Sequence, residues 1–367
     1  MIVTVTANPA LDLTWHVERI VAGGTHRADT GAARAGGKGL NVARVAHAQG
    51  APVRAITTVG GATGAEFADE LTAAGVPHVL VPVAASTRRS IALVDEALGD
   101  TTIINERGVA PTASEWEALK AAVADALRAD ARVLVISGSF PPATPDDVLP
   151  ALIALGRNAG AVVIADTSGP SLLQAADAGA SVLKPNEHEL RDATGLADPL
   201  DGARELLRRG AELVLLSQGA DGMLAITASA ADPDLQVLHA RLDRVLAGNP
   251  TGAGDAAVAA CAVLMDAGIH DPEKILRRAT AWSAAAVLMP LAGEIHPSCP
   301  DLERDLIVVP AAFAPATHAE KPLPARETAS DVVSHADSGF SPAAGAPAPD
   351  SPASGAPTPA SDRRNPR

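Results

Sequence analysis

An α/β fold, with a doubly wound central sheet and a small β-sheet lid, is the expectation for this chain. It rests on short apolar runs spread along the chain, helical patterns between them, and two partly polar stretches that break the rhythm. The apolar runs are "IVTVTA" (2–7), "VRAITTV" (53–59), "VLVISG" (133–138), "VVIAD" (162–166) and "LVLLS" (213–217). Their hydrophobic residues are continuous rather than alternating, as in strands buried on both faces of a parallel sheet. Helical patterns fill 40–49, 64–74, 114–128, 145–158, 201–209, 254–268 and 272–288. Strands and helices alternating in this way wind into a sheet with helices on both faces. The two interruptions, 11–37 and 87–108, read as hairpins with partly polar strands. They are expected to form a separate small sheet over one end of the main one.

Near residue 313 the composition changes. Residues 1–313 carry the α/β pattern, whereas 314–367 become rich in Pro, Ala and Ser. Such a segment buries too little apolar area to offset the entropy of ordering it, so a disordered tail is expected.

Of the 367 residues, 47% are hydrophobic, with no tyrosine, three tryptophans and four phenylalanines. Ala, Val and Leu must therefore fill the core, and an aromatic platform for stacking bases is hard to build. The formal net charge of −14 argues against nucleic acid and anionic membrane as partners. A few local cations still suffice to hold a small anion. Two cysteines, Cys261 and Cys299, make no disulfide framework and read as buried small hydrophobes of a reducing compartment. The opening "MIVTVTANPA" has no basic, then long apolar, signal pattern. No apolar run approaches the ~20 residues that span a bilayer. A soluble, cytoplasmic protein is expected.

The stretch "NPTGAGDA" (249–256) places two glycines and an acid at the mouth of an apolar helix. A helix N-terminus exposes unpaired N–H groups and partial positive charge, and small residues let an anion approach them. Asp255 beside such an anion could take the proton of an attacking hydroxyl. At a helix start it is also expected to stay ionised. By itself the acid could be a simple cap. Other phosphate-binding patterns are missing: "AGGKGL" lacks the hydroxyl residue of a P-loop, no G-x-G-x-x-G follows the first strand, and no H-R-D loop occurs.

Taken together, "NPALDLT" (8–14), "AGGKGLNVARVAHAQG" (35–50), "SGSFPP" (137–142), "LKPNEHEL" (183–190), "LLSQGADG" (215–222) and "GNPTGAGDA" (248–256) resemble the ribokinase-like (PfkB) family of carbohydrate kinases. They stand in that family's order over about residues 1–300, and the early GGKG-x-N with the late GAGD is the specific combination. The resemblance implies a Rossmann-like domain with a β-sheet lid, matching the two hairpin stretches. It also implies ATP and Mg²⁺ as cofactors, a sugar as the acceptor, and a cleft with sugar towards the lid and nucleotide towards the C-terminal half.

The resemblance also assigns roles. Asp255 is the implied catalytic base, and the amides of Gly252, Ala253 and Gly254 the anion hole. Asp12, Gly36, Gly37, Lys38, Asn41 and Ser139 fall at sugar-binding positions. Lys184, Asn186, Ser217 and Gly219 fall at nucleotide-binding positions, with Ala279 and Ser283 on the late helix near the adenine. Glu189 and Asn186 are implied to hold Mg²⁺ through water. From the residues alone, Asn186 also reads as a helix cap with Glu189 three positions on, and Asp166 either positions metal or substrate or merely forms a turn. Arg27 and Arg88, on the lid stretches, match phosphate-contacting positions of the family's phosphosugar branch, and arginine's fork suits that task.

A small phosphosugar and ATP are therefore the implied partners. Fructose 1-phosphate, phosphorylated at C6, is the first choice. Tagatose 6-phosphate and fructose 6-phosphate follow, and a ribose or nucleoside kinase or an inactive sugar-binding regulator stay open. An exposed lid edge invites pairing, and with the family's habit it implies a homodimer through the lid.

Overall fold

The computed structural model describes residues 1–229 and 232–310. The chain opens with β1 (Ile2–Thr6), then leaves the main sheet for β2 (Ala10–Val17) and β3 (Ala32–Gly36) of the lid. It returns through α1 (Lys38–Ala48) to β4 (Val53–Val59), α2 (Gly61–Ala73) and β5 (His78–Pro82). A second excursion, β6 (Arg88–Asp95) and β7 (Asp100–Asn105), completes the lid. From α3 (Ala113–Arg128) the chain alternates through β8 (Val133–Ser137), α4 (Val148–Asn158), β9 (Val162–Asp166), α5 (Pro170–Asp177) and β10 (Val182–Leu183). Next come α6 (Glu187–Thr194), α7 (Pro199–Arg209), β11 (Leu213–Ser217) and the hairpin β12 (Met223–Ser229) and β13 (Asp232–Arg241). The last elements are α8 (Ala253–Asp266), α9 (Pro272–Val287), α10 (Cys299–Asp305) and β14 (Ile307–Pro310).

The main sheet runs β14-β13-β12-β11-β10-β9-β8-β1-β4-β5. Strands β5 to β11 of that row are parallel, and β12, β13 and β14 are added antiparallel. All five apolar runs are strands of the parallel part, buried on both faces. In β8, Val133 and Val135 point into the cluster formed with α1, α8 and α9, and Leu134 and Ile136 into the cluster formed with α3, α4 and α7. Helix α8 is buried nearly all round, and its run of alanines lets it lie close to the sheet between α1 and α9. That packing holds its N-terminus in the middle of the molecule.

The lid is the second sheet, ordered β3-β2-β6-β7. Both interrupting stretches form the expected hairpins, joined by parallel pairing of β2 with β6, which sets Asp12 opposite Ser90 and Ala10 opposite Arg88.

Sequence reading missed β5, β10 and the antiparallel strands. β10 has only two residues, too few for a pattern, and β5 ends on a proline at the sheet edge. The boundary expected at 313–314 and the tail beyond it lie outside the described residues. Among the described residues no helix is long and apolar enough to cross a membrane.

Candidate active site

Ligands of open α/β sheets bind beyond the carboxyl ends of the strands, where the strand order reverses. Here β1 lies between β4 and β8, and the chain runs out of both β1 and β8 towards one cleft. Its volume is about 1200 Å³. The strand ends supply Thr6 at the end of β1 and Asn8 just after it, Gly138 and Ser139 after β8, Lys184 after β10 and Ser217 from β11. The lid closes one end with Asp12, Arg88, Ser90, Asn105 and Arg107. The other end is walled by Leu242, Val245, Leu246, Pro250, Ala284 and Val287.

Asp255 sits at the centre, on the first turn of α8 and 5% exposed. Its Oδ2 accepts a hydrogen bond from Asn41 Nδ2 at 2.8 Å, joining the two motifs across 214 residues of chain. Contrary to the sequence expectation, its carboxyl is pushed up to about 7. Burial is the main cause, with the charge of Asp166 second, and Lys38, Asn41 and Lys184 oppose them. The helix terminus does not outweigh desolvation in so enclosed a place.

Helix α8 starts without a side-chain cap, from Gly252 at φ 86°. A Cβ there would press on Ala292, 2.8 Å away. Only glycine combines this left-handed turn with that contact. Of the three amides expected to form an anion hole, that of Ala253 already donates to the Pro250 carbonyl at 3.2 Å. The turn closes on itself there, leaving Gly252 and Gly254 as the better donors. Lys184, 4% exposed, brings its Nζ against Gly254.

Asp166, fully buried at the end of β9, collects the cations. Its oxygens lie 3.3 and 3.4 Å from Lys38 Nζ and 3.6 Å from Lys184 Nζ, and accept from Ser137 Oγ at 3.2 Å. Burial pushes its carboxyl up, but Lys184 and Lys38 together hold it below the usual range. Lys38 is correspondingly raised, chiefly by Asp166. Its amine also stands 3.8 Å from Glu189 Oε1. Lys38 therefore faces Asp166 and Glu189 rather than the lid.

Asn186 caps α6 as expected: its side chain accepts from the Glu189 amide at 2.8 Å, and Glu189 Oε2 accepts from the Asn186 amide at 3.0 Å. One carboxylate oxygen thus serves the cap and the other faces the cleft. Among the described residues no group of three or more acidic, His or Cys side chains is placed to cage a metal. A lone carboxylate suits Mg²⁺ that keeps most of its water shell, so the residues present fit that ion. Ser217, Gly219 and Ser283 line the apolar half of the cleft, whereas Ala279 is buried in helix packing outside it.

At the lid end, Asp12 is raised to about 6 by burial, against the pull of Arg88, Arg34 and Arg44. Arg88 is held by Asn8 and by the Glu106 carbonyl. Two residues are not where sequence placed them. Arg27 lies on the exposed connection between β2 and β3, outside the cleft lining, because the hairpin strands end before reaching it. Gly36 does not line the cleft; a Cβ on it would overlap the Asp12 carboxylate, so its smallness makes room for that side chain. Gly37, Lys38, Asn41 and Ser139 do line the cleft. Sequence reading missed Asn8, Asn105 and Arg107. Asn8 opens the "NPALDLT" stretch, but Arg107 had no signal beyond its place after a polar hairpin.

A two-face-covered sheet, a β-sheet lid and a central helix terminus between them make up the ribokinase-like architecture. A model described as "pfkB family carbohydrate kinase" matches residues 5–299. The chain is 36% identical over 290 residues to the 1-phosphofructokinase of Xanthomonas campestris pv. campestris, covering 77% of this chain and 89% of that one. It is equally 36% identical over 300 residues to the ATP-dependent 6-phosphofructokinase isozyme 2 of Mycobacterium tuberculosis, covering 79% and 84%. Phosphofructokinase-2 from Escherichia coli, solved in complex with fructose-6-phosphate, superposes with a TM-score of 0.73 at 28% identity over 83% of this chain and 98% of that one. The chain belongs to the pfkB family of carbohydrate kinases.

Proposed function

We propose that this kinase transfers the γ-phosphoryl group of ATP to the C6 hydroxyl of fructose 1-phosphate, giving fructose 1,6-bisphosphate. The observation that carries the transfer is the Asn41–Asp255 contact, which sets a buried carboxylate of near-neutral pKa beside the uncapped start of α8. Asp255 accepts the proton of the attacking hydroxyl. The Gly252 and Gly254 amides face the charge that develops on the phosphoryl oxygens, and Lys184 adds a buried cation beside them. Asp12 and Asn41 hold sugar hydroxyls, and Arg88 faces the sugar's phosphate. Adenine occupies the apolar half between Leu246 and Val287. Mg²⁺, held through water by Glu189 with Asn186 behind it, would neutralise phosphate charge.

Fructose 1-phosphate is favoured because relatives named 1-phosphofructokinase recur in several bacteria at 31–36% identity. A second reading, fructose 6-phosphate, is favoured by the Mycobacterium relative and by the Escherichia coli complex. ADP release measured with fructose 1-phosphate, fructose 6-phosphate, tagatose 6-phosphate, fructose and ribose decides between them. The highest kcat/KM is expected with fructose 1-phosphate. A higher value with fructose 6-phosphate transfers the assignment to the second reading, and preference for an unphosphorylated sugar overturns both.

The reading includes a homodimer through the lid. β7 is an edge strand exposed along its whole length, including Ile103 and Ile104. An unpaired edge that exposes two isoleucines is stabilised by a second copy.

A further inference from the structure

We propose that Arg107, which belongs to none of the recognised motifs, supplies the second guanidinium of the site that grips the sugar substrate's phosphate, and that Asn8 aims it. The inference rests on the phosphosugar reading above and assigns the partner of Arg88 in that site. Arg107 lines the lid end of the cleft with Asn8, Asp12, Arg88, Ser90 and Ser139. Among the described residues its side chain has no hydrogen bond or ion pair. The neighbouring cations are committed: Arg34 pairs with Glu294, Arg44 with Glu70, and Lys38 with Asp166. Arg107 is the guanidinium there with its donors unspent.

The charge balance points the same way. Burial weakens Arg88's hold on its proton, and the carboxylates of Asp12 and Glu106, which both line the cleft, only partly offset that. With Arg88 alone, that end would carry one cation against two acids and would repel a dianion. Arg107 restores the balance, and its unspent planar fork adds to the donors that Arg88 does not commit to Asn8 and the Glu106 carbonyl.

Asn8 supplies the geometry. It is 8% exposed, and its amide spans three elements. Nδ2 donates to the Arg107 carbonyl at 3.2 Å and to Ser139 Oγ at 3.4 Å, while Oδ1 accepts from Arg88 Nε at 3.1 Å. The next residue, Gly108, has φ 81°, and a Cβ on it would strike Asn8 Oδ1. The backbone therefore passes as close to Asn8 as glycine allows, which fixes where the Arg107 side chain starts.

The test compares Arg107→Gln and Arg107→Lys with the parent enzyme, measuring KM for the phosphosugar, KM for ATP, and kcat. With Gln the loss is expected to fall on the phosphosugar KM, at least about tenfold, with the ATP KM and kcat moving less than about threefold. Lys, which keeps the charge without the fork, recovers part of it. A phosphosugar KM within about twofold of the parent overturns the proposal, as does a loss shared equally with the ATP KM and kcat, or a Lys variant no better than Gln. The parent enzyme's own substrate panel tests the phosphosugar reading separately, so the two can fail independently.

Discussion

In the proposed reaction Asp255 is the base, because burial makes it a poor acid and therefore a useful proton acceptor. Its replacement by Asn keeps the shape and the contact to Asn41 but removes proton acceptance, so kcat falls by about a hundredfold or more while sugar binding persists. Steady-state kinetics with isothermal binding of the sugar checks this, and near-parent turnover would remove the base assignment. The same carboxyl sets the pH dependence. With a pKa raised to about 7, chiefly by burial, the proton-free form is lost as pH falls through that value. Activity is therefore expected to drop below neutrality, by about tenfold per unit once the acid form dominates. Asn41→Ala removes a hydrogen bond that favours the ionised form, so the acidic limb moves to higher pH. A pH–kcat/KM profile of both proteins reads the shift. At the lid end, Arg88→Ala is expected to raise the phosphosugar KM by about tenfold or more, well beyond its effect on the ATP KM. Equal changes in both would mean that Arg88 only holds Asn8 and the lid.

At the scale of elements, the start of α8 is the feature most exposed to single changes. Gly252→Ala adds a methyl where Ala292 already stands and forces a left-handed backbone on a residue that resists it, by about 1–2 kcal/mol. The amides of the turn move, and kcat is expected to fall by roughly tenfold or more. A crystal structure of the variant showing the turn displaced, together with full turnover, would refute the anion-hole role. This turn was legible as a motif, since only glycine spells the positive φ and close approach. The spent Ala253 amide was not legible, because it depends on where the Pro250 carbonyl folds back. The capping box of α6 was legible from Asn186 and Glu189 three apart, for the local reason that both partners lie within one turn. Arg27 shows the opposite case. It sits on a stretch correctly read as a hairpin, but the strands stop at Val17 and resume at Ala32, which leaves it on the exposed connection.

For the whole molecule, the lid is the part expected to engage another copy. Paired substitutions Ile103→Lys and Ile104→Lys place charge on the exposed edge strand β7 and are expected to shift the protein to monomers, as read by light scattering at matched concentration. An unchanged mass would remove this edge as the interface.

The buried parallel strands, the two hairpins and the glycine-rich helix mouth could be read from residue order, because each reflects a local requirement: apolar side chains on both faces of a strand, turn chemistry, or backbone freedom. The meeting of Asn41 with Asp255, the gathering of Lys38 and Lys184 on Asp166, the raised pKa and the convergence of Asn8 with Arg107 could not. These are contacts between segments far apart in the chain, and their energies depend on how much water the packed sheet, helices and lid exclude from the space between them.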